Sequence, residues 1–138
     1  MKRKRVFIDS NVIISSLISE TGASHILLNN PELELFVTDK SVEEMEEVAD
    51  RLSLSKKKLK NLIKMKFKAI KLGEFKQDIE NYVLDADDAF ILAGSKKARA
   101  RFLISYNTRH FKADKIAQDL KIVVLTPAQF LQYLRSLQ

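Results

Sequence analysis

Five short apolar runs, separated by stretches with helical period, leave this chain few ways to fold. The runs are Val6–Ile8, Leu35–Val37, Ala69–Leu72, Phe102–Ile104 and Ile122–Leu125. Each is too short for a helix, and most are rich in β-branched or aromatic side chains, so they read as buried strands. The third alternates from Lys68 to Leu72, as an edge strand does. Between the runs, Val42, Met45, Val48, Ala49 and Leu52 share one face of a helix over Ser41–Leu52. Leu59, Leu62 and Ile63 form a second stripe that extends to Phe67, and Ala89–Ala100 forms a third helix. A last helix, Pro127–Leu137, follows Thr126 as N-cap with proline in its first turn. Alternation of strand and helix predicts an α/β fold: a parallel sheet with helices on both faces. Ligands of such sheets sit beyond the carboxyl ends of the strands, which is where functional residues are to be sought.

The 138 residues suit a single domain spanning 1–138, and 46% hydrophobic content supplies a core without staples. The absence of cysteine excludes disulfides, zinc ribbons and thiol catalysis. Lys2–Arg5 has the charge of a signal-peptide start, but Asp9 interrupts the apolar run after Ile8, far short of an export signal or membrane span. A cytoplasmic protein with no membrane association is therefore expected. The net charge of +6 favours polyanionic partners such as nucleic acid or an acidic protein segment.

Polar residues cluster where the first, second and fourth strands end. The first runs directly into Asp9-Ser10-Asn11, and the second is followed by Ser41-Val42-Glu43-Glu44. Asp85-Ala86-Asp87-Asp88 opens the helix before the fourth strand, which ends in Ser105-Tyr106-Asn107. Each group has a structural reading. Ser41 and Glu44 have capping-box spacing, as do Asp85 and Asp88, while Asp9, Asn11 and Asn107 suit caps or turns. Taken together they suggest more, because carboxylates gathered at one edge repel; two charges ~4 Å apart cost about 4 kcal/mol at an effective dielectric of roughly 20. A cation or bound protons must compensate. All-oxygen ligation points to a hard divalent ion, Mg²⁺ or Mn²⁺, and such a centre suits phosphodiester hydrolysis.

These segments, in this order, resemble the PIN-domain family, and more narrowly its prokaryotic VapC-like branch of toxin–antitoxin ribonucleases. Val6-Phe7-Ile8-Asp9-Ser10-Asn11-Val12 is similar to the family's strand followed by D-[ST]-[NS]. Glu44-Met45-Glu46-Glu47-Val48 resembles its E-[LI]-x-x-[VL] helix, Asp85 through Ala93 its D-x-x-D helix, and Phe102 through Asn107 its strand ending in [TS]-x-[DN]. The resemblance implies a three-layer α/β/α sandwich around a mostly parallel sheet of about five strands. It also implies single-strand endoribonuclease activity with Mg²⁺ or Mn²⁺, a catalytic set of Asp9, Glu44, Asp88 and Asn107, and metal-binding carboxylates at the first three. Asn107 stands where many members have a fourth Asp, which removes one negative charge from the site. By the same resemblance Ser105 orients a bound water or a ligand carboxylate, Asn11 fixes Asp9 or touches substrate, and Asp85 acts through water. RNA, an antitoxin protein and a second copy of the chain are the implied partners.

Glu43 competes with Glu44 for the inward position, and Asp87 is expected to face solvent. Between Lys56 and Lys71 lie eight lysines and no acid. Lys56, Lys57, Lys60 and Lys64 are candidate contacts to RNA or partner, against the alternative of a solvated helix face. Arg109 and His110, close behind Asn107, are further candidates. Lys96, Lys97, Arg99 and Arg101 read as a favourable helix C-terminus pointing away from the site. His25 is expected at the surface or its boundary. Two histidines are too few for a histidine metal site. Three functions remain open: a toxin-like endoribonuclease, an RNA-processing nuclease without an antitoxin, and a PIN-fold nucleic-acid-binding module weak or inactive in catalysis. A phosphatase with an Asp nucleophile is disfavoured, because Asn11 stands where a second Asp is wanted.

Overall fold

The computed structural model describes residues 2–138. Its sheet consists of β1 (Lys4–Ile8), β2 (Leu33–Thr38), β3 (Phe67–Ile70), β4 (Phe102–Ile104) and β5 (Val123–Leu125), in the order β3-β2-β1-β4-β5. Every pairing is parallel, with Phe7 opposite both Phe36 and Leu103. The helices are α1 (Ser10–Ile18), α2 (Ala23–Leu28), α3 (Asp39–Arg51), α4 (Lys56–Lys66), α5 (Ala89–Lys97), α6 (Ala113–Leu120) and α7 (Pro127–Ser136). The α/β architecture expected from the alternating runs is the one observed.

Strand alternation divides the core into two. Val6, Ile8, Leu35, Val37, Phe102 and Ile104 face a cluster formed with α1 to α4 and α7. Phe7, Phe36, Leu103 and Val124 face the opposite way, against α5 and α6. On the first face Phe130 of α7 packs on Phe102 with ring centroids 4.9 Å apart. Gly94 lets α5 press onto the second face: a Cβ there would stand 2.5 Å from Thr38 Cγ2 and 2.9 Å from Phe7 Cε2.

Three local outcomes differ from expectation. Phe67 does not end the α4 stripe but opens β3 with its ring buried, so that strand starts and ends earlier than predicted. The helix predicted to run to Ala100 stops at Lys97, because Arg99 turns left-handed and the Ala100 amide reaches back to the Ser95 carbonyl. Helix α6 had no counterpart in the sequence expectations. β3 does lie at the sheet edge, and Thr126 caps α7 in a full capping box with Gln129. No helix among the described residues is long and apolar enough to cross a membrane.

From β1 the chain moves outward to β2 and β3, then returns across to β4 and β5. The carboxyl ends of β1 and β4 therefore flank the point where the winding reverses, the usual place for a ligand crevice in such sheets.

Candidate active site

Ile8 and Ile104 are register partners, so Asp9 and Ser105 leave the sheet side by side at this switch point. Asp9 is only 5% exposed and caps α1, its Oδ1 accepting from the Ser10 amide at 2.8 Å. Its other oxygen accepts from Ser105 Oγ at 2.7 Å. Ser105 in turn accepts from the Asn107 amide at 3.0 Å and, at the limit of hydrogen-bond distance, from Asn11 Nδ2 at 3.5 Å. Asn11 Oδ1 accepts from the Tyr106 amide at 3.3 Å. These bonds hold one buried carboxylate in a single orientation.

Burial lifts the Asp9 carboxyl above the usual carboxylate range; the Ser105 and Ser10 hydrogen bonds oppose the shift, while the charges of Asp88 and Glu44 add to it. Two of the other predicted catalytic residues, Glu44 and Asp88, thus act on the first electrostatically. Glu43 is not among the groups that chiefly shift Asp9, and both it and Glu44 are exposed. Capping does not occupy Glu44, because the N-cap of α3 is Thr38. Buried Thr38 accepts from the Ser41 amide at 3.0 Å and donates to Ser41 Oγ at 2.9 Å. The T-x-x-S spacing at the end of β2 carries that signal, which the Ser41–Glu44 capping-box reading had overlooked.

Asp85 does serve as a cap, accepting from the Asp87 amide at 2.9 Å, and it is exposed, as is Asp87. Asp88 makes no cap bond; its Oδ2 lies 3.3 Å from His110 Nδ1. Backbone pairing creates that contact. Val83 and Phe111 form an isolated antiparallel bridge, flanked by Leu84 N to His110 O and Lys112 N to Tyr82 O, both 2.9 Å. Burial raises the Asp88 carboxyl, the His110 charge opposes the shift, and the neighbouring Asp85 and Asp87 reinforce it. Asn107 is exposed and begins the short 3₁₀ turn that carries Arg109 and His110, both exposed.

The lysines of α4 lie elsewhere. Helix α3 runs back from the Asp9 edge, and β3, which α4 enters, starts at the opposite edge, so both ends of α4 attach there. Lys56 pairs with exposed Asp50 at 2.8 Å, while Lys57, Lys60 and Lys64 are exposed. His25 is partly buried on α2, as expected of a boundary residue.

The oxygen-only donor set and the mutually repelling acids suit a hard divalent cation. Among the described residues, no three histidine, aspartate or glutamate side chains are grouped closely enough to hold a metal ion between them. Asp9, Glu44 and Asp88 share an electric field rather than a tight coordination sphere. Mg²⁺ needs no cage: it keeps several waters and commonly uses one or two carboxylates with substrate phosphates.

The family model for the PIN domain matches residues 5–109, most of the chain and every site residue from Asp9 to Arg109. The chain belongs to the PIN-domain family. No curated protein matches this PIN domain. Among solved structures it is similar to a toxin–antitoxin complex from Klebsiella pneumoniae, at 22% identity and TM-score 0.61, covering 88% of this chain and 97% of that one. It is also similar to VapBC2 from Rickettsia felis bound to a DNA fragment from their promoter, at 12% identity and TM-score 0.57, covering 88% and 98%. At those identities the likeness establishes a shared fold.

Proposed function

We propose that this PIN domain is a metal-dependent endoribonuclease and the toxin component of a toxin–antitoxin pair, with Mg²⁺ or Mn²⁺ held by Asp9, Glu44 and Asp88. The observation that carries the reading is the buried Asp9 at the switch point, oriented by Ser105 and facing the charges of Glu44 and Asp88. A fold gains nothing in stability from that repulsion, so function is the better explanation. When bound, the cation supplies charge neutralisation at the scissile phosphate and a more acidic water.

The chain's own residues do the rest. Ser105 and Asn11 fix the Asp9 carboxylate, so no reorganisation is needed when the phosphate arrives. Asp85 braces the turn that presents Asp88. Asn107, Arg109 and His110 line the exit of β4, where they can donate to phosphate oxygens. The lysines Lys56, Lys57, Lys60 and Lys64 add non-specific, salt-dependent affinity at a greater distance. Likeness to two toxin–antitoxin structures supports an antitoxin partner. A homodimer rests on the resemblance alone, and a cytoplasmic location on the short apolar run that Asp9 ends.

A second reading, a binding module without catalysis, draws on Asn107 in place of a fourth carboxylate. The deciding experiment is cleavage of single-stranded and hairpin RNAs in Mg²⁺ or Mn²⁺, with EDTA as control. Metal-dependent cleavage supports the nuclease; RNA binding without cleavage under either ion transfers the case to the binding module.

A further inference from the structure

A second charged feature lies at the opposite edge of the sheet, where α5 and α6 end and β4 and β5 begin. Lys96, Arg99, Arg101 and Lys121 rim a concavity of about 590 Å³ whose floor includes Leu120 and Ile122. All four cations are exposed. No acid lines the concavity, and none of the four forms an ion pair or a side-chain hydrogen bond among the described residues. The sequence reading of this cluster as a helix C-terminus holds for Lys96 and Lys97, which lie in the last turn of α5, but does not extend to Arg101 and Lys121. The carbonyl of the α5 cap, Ala98, is taken by Arg5, which donates to it from Nε at 2.9 Å and from Nη2 at 2.7 Å. Lys97, the fifth cation nearby, is spent on the Lys71 and Leu72 carbonyls.

The backbone adds an independent sign. Arg99 and Lys121 both adopt left-handed φ, 55° and 59°, immediately after or at the cap of their helices. Glycine suits those positions best, and a side chain there costs about 1–2 kcal/mol. Two of the three left-handed non-glycine residues among the described residues, the third being Ser53 after α3, are thus cations on one rim.

We propose that this concavity is a second anion site that binds the phosphate backbone of single-stranded nucleic acid, away from the cleavage centre. The inference rests on the nuclease reading for its choice of ligand. The acids of the cleavage site repel a polyanion, and cations placed elsewhere offset that repulsion. The planar guanidinium forks of Arg99 and Arg101 match phosphate oxygens in pairs, and the apolar floor accepts the uncharged faces of the nucleotide. From Arg101 to Ser105 the strand advances roughly 13 Å, short enough for one nucleic acid strand to span both edges.

The test is the double variant Arg99→Gly/Lys121→Gly, which keeps the left-handed backbone while removing two charges, so its thermal midpoint is expected to hold or rise. Binding of a labelled single-stranded RNA is measured in EDTA across a salt series, with polyglutamate as a second probe. The expected result is RNA affinity several-fold to tenfold weaker, with the slope of log affinity against log salt shallower by about 1.4. Unchanged RNA affinity and slope in a folded variant would overturn the proposal. Loss of polyglutamate binding with RNA binding intact would also overturn it, in favour of an acidic protein segment. Because nothing is cleaved in EDTA, failure of the nuclease reading shows separately, as absence of metal-dependent cleavage by the unaltered chain.

Discussion

Ser105 Oγ donates to Asp9 Oδ2 at 2.7 Å, and it can do so only because Ile8 and Ile104 are paired in register one residue earlier. A slip of one residue between β1 and β4 would leave the two side chains on opposite faces of the sheet. The carboxylate is buried, so the hydroxyl is its main compensation besides the Ser10 amide. Ser105→Ala should cost about 1–3 kcal/mol, since it also leaves the Asn107 amide without its acceptor. Cleavage should fall about 10–100-fold, the usual effect of losing a group that orients a ligand. Denaturant unfolding together with RNA cleavage checks both; full activity would mean that Ser105 does not position Asp9.

Asp9→Asn should abolish cleavage, by at least about a hundredfold, while raising stability at neutral pH. The Asp9 carboxyl is less acidic in the folded chain than in the unfolded one, chiefly because it is buried. The folded state therefore binds the proton more tightly, and stability falls as pH rises from the ordinary carboxylate value through the raised one. Above that window the full cost of ionised Asp9 is present, and the amide escapes it. Melting curves of both proteins should accordingly converge towards acid pH and separate towards neutral. Curves that stay parallel across the range would remove the buried charge as the source of the difference.

Gly94→Ala tests how the second layer holds the site. The added methyl would meet Thr38 Cγ2 and Phe7, and Thr38 is the cap that starts α3 and with it places Glu44. A helical alanine gains up to about 1 kcal/mol over glycine, but forced overpacking costs about 1–3 kcal/mol. Net destabilisation with reduced cleavage is expected. A variant as stable as the parent would show that α5 can retreat freely.

Much of this was legible in the sequence, for identifiable reasons. Buried parallel strands must be apolar on both faces, so Val6–Ile8 and Phe102–Ile104 announce themselves, and the residues after them fall at the functional edge. Less legible was anything decided by contacts distant along the chain. The Val83–Phe111 bridge that brings His110 to Asp88 has no local signature. The release of Glu44 from a capping role depended on Thr38 rather than Ser41 starting α3, a shift of the helix start that periodicity resolves poorly. The basic residues of the last turn of α5 are visible as such in the sequence, but nothing local shows that Arg5, 93 positions away, takes the Ala98 carbonyl.

Adjacent Glu43 and Glu44 provide the sharpest test of the acidic site. Both are exposed on α3, differ by one position and carry the same charge, so general electrostatics predicts the same effect for either. The two differ at Asp9, where Glu44 ranks among the charges that raise the carboxyl and Glu43 does not. Glu44→Gln should therefore lower the proton affinity of Asp9, remove one proposed metal carboxylate and reduce cleavage at least about tenfold. Glu43→Gln should leave cleavage within about twofold, as surface changes away from a site generally do. Thermal shift on adding Mn²⁺ gives a second readout, because a bound ion stabilises the folded state by an amount set by its affinity, about 2.7 kcal/mol at a hundredfold excess over Kd. That shift should shrink in Glu44→Gln and persist in Glu43→Gln. Equal losses in both variants would reduce the role of Glu44 to the net charge of α3, leaving Asp9 and Asp88 as the remaining candidate ligands.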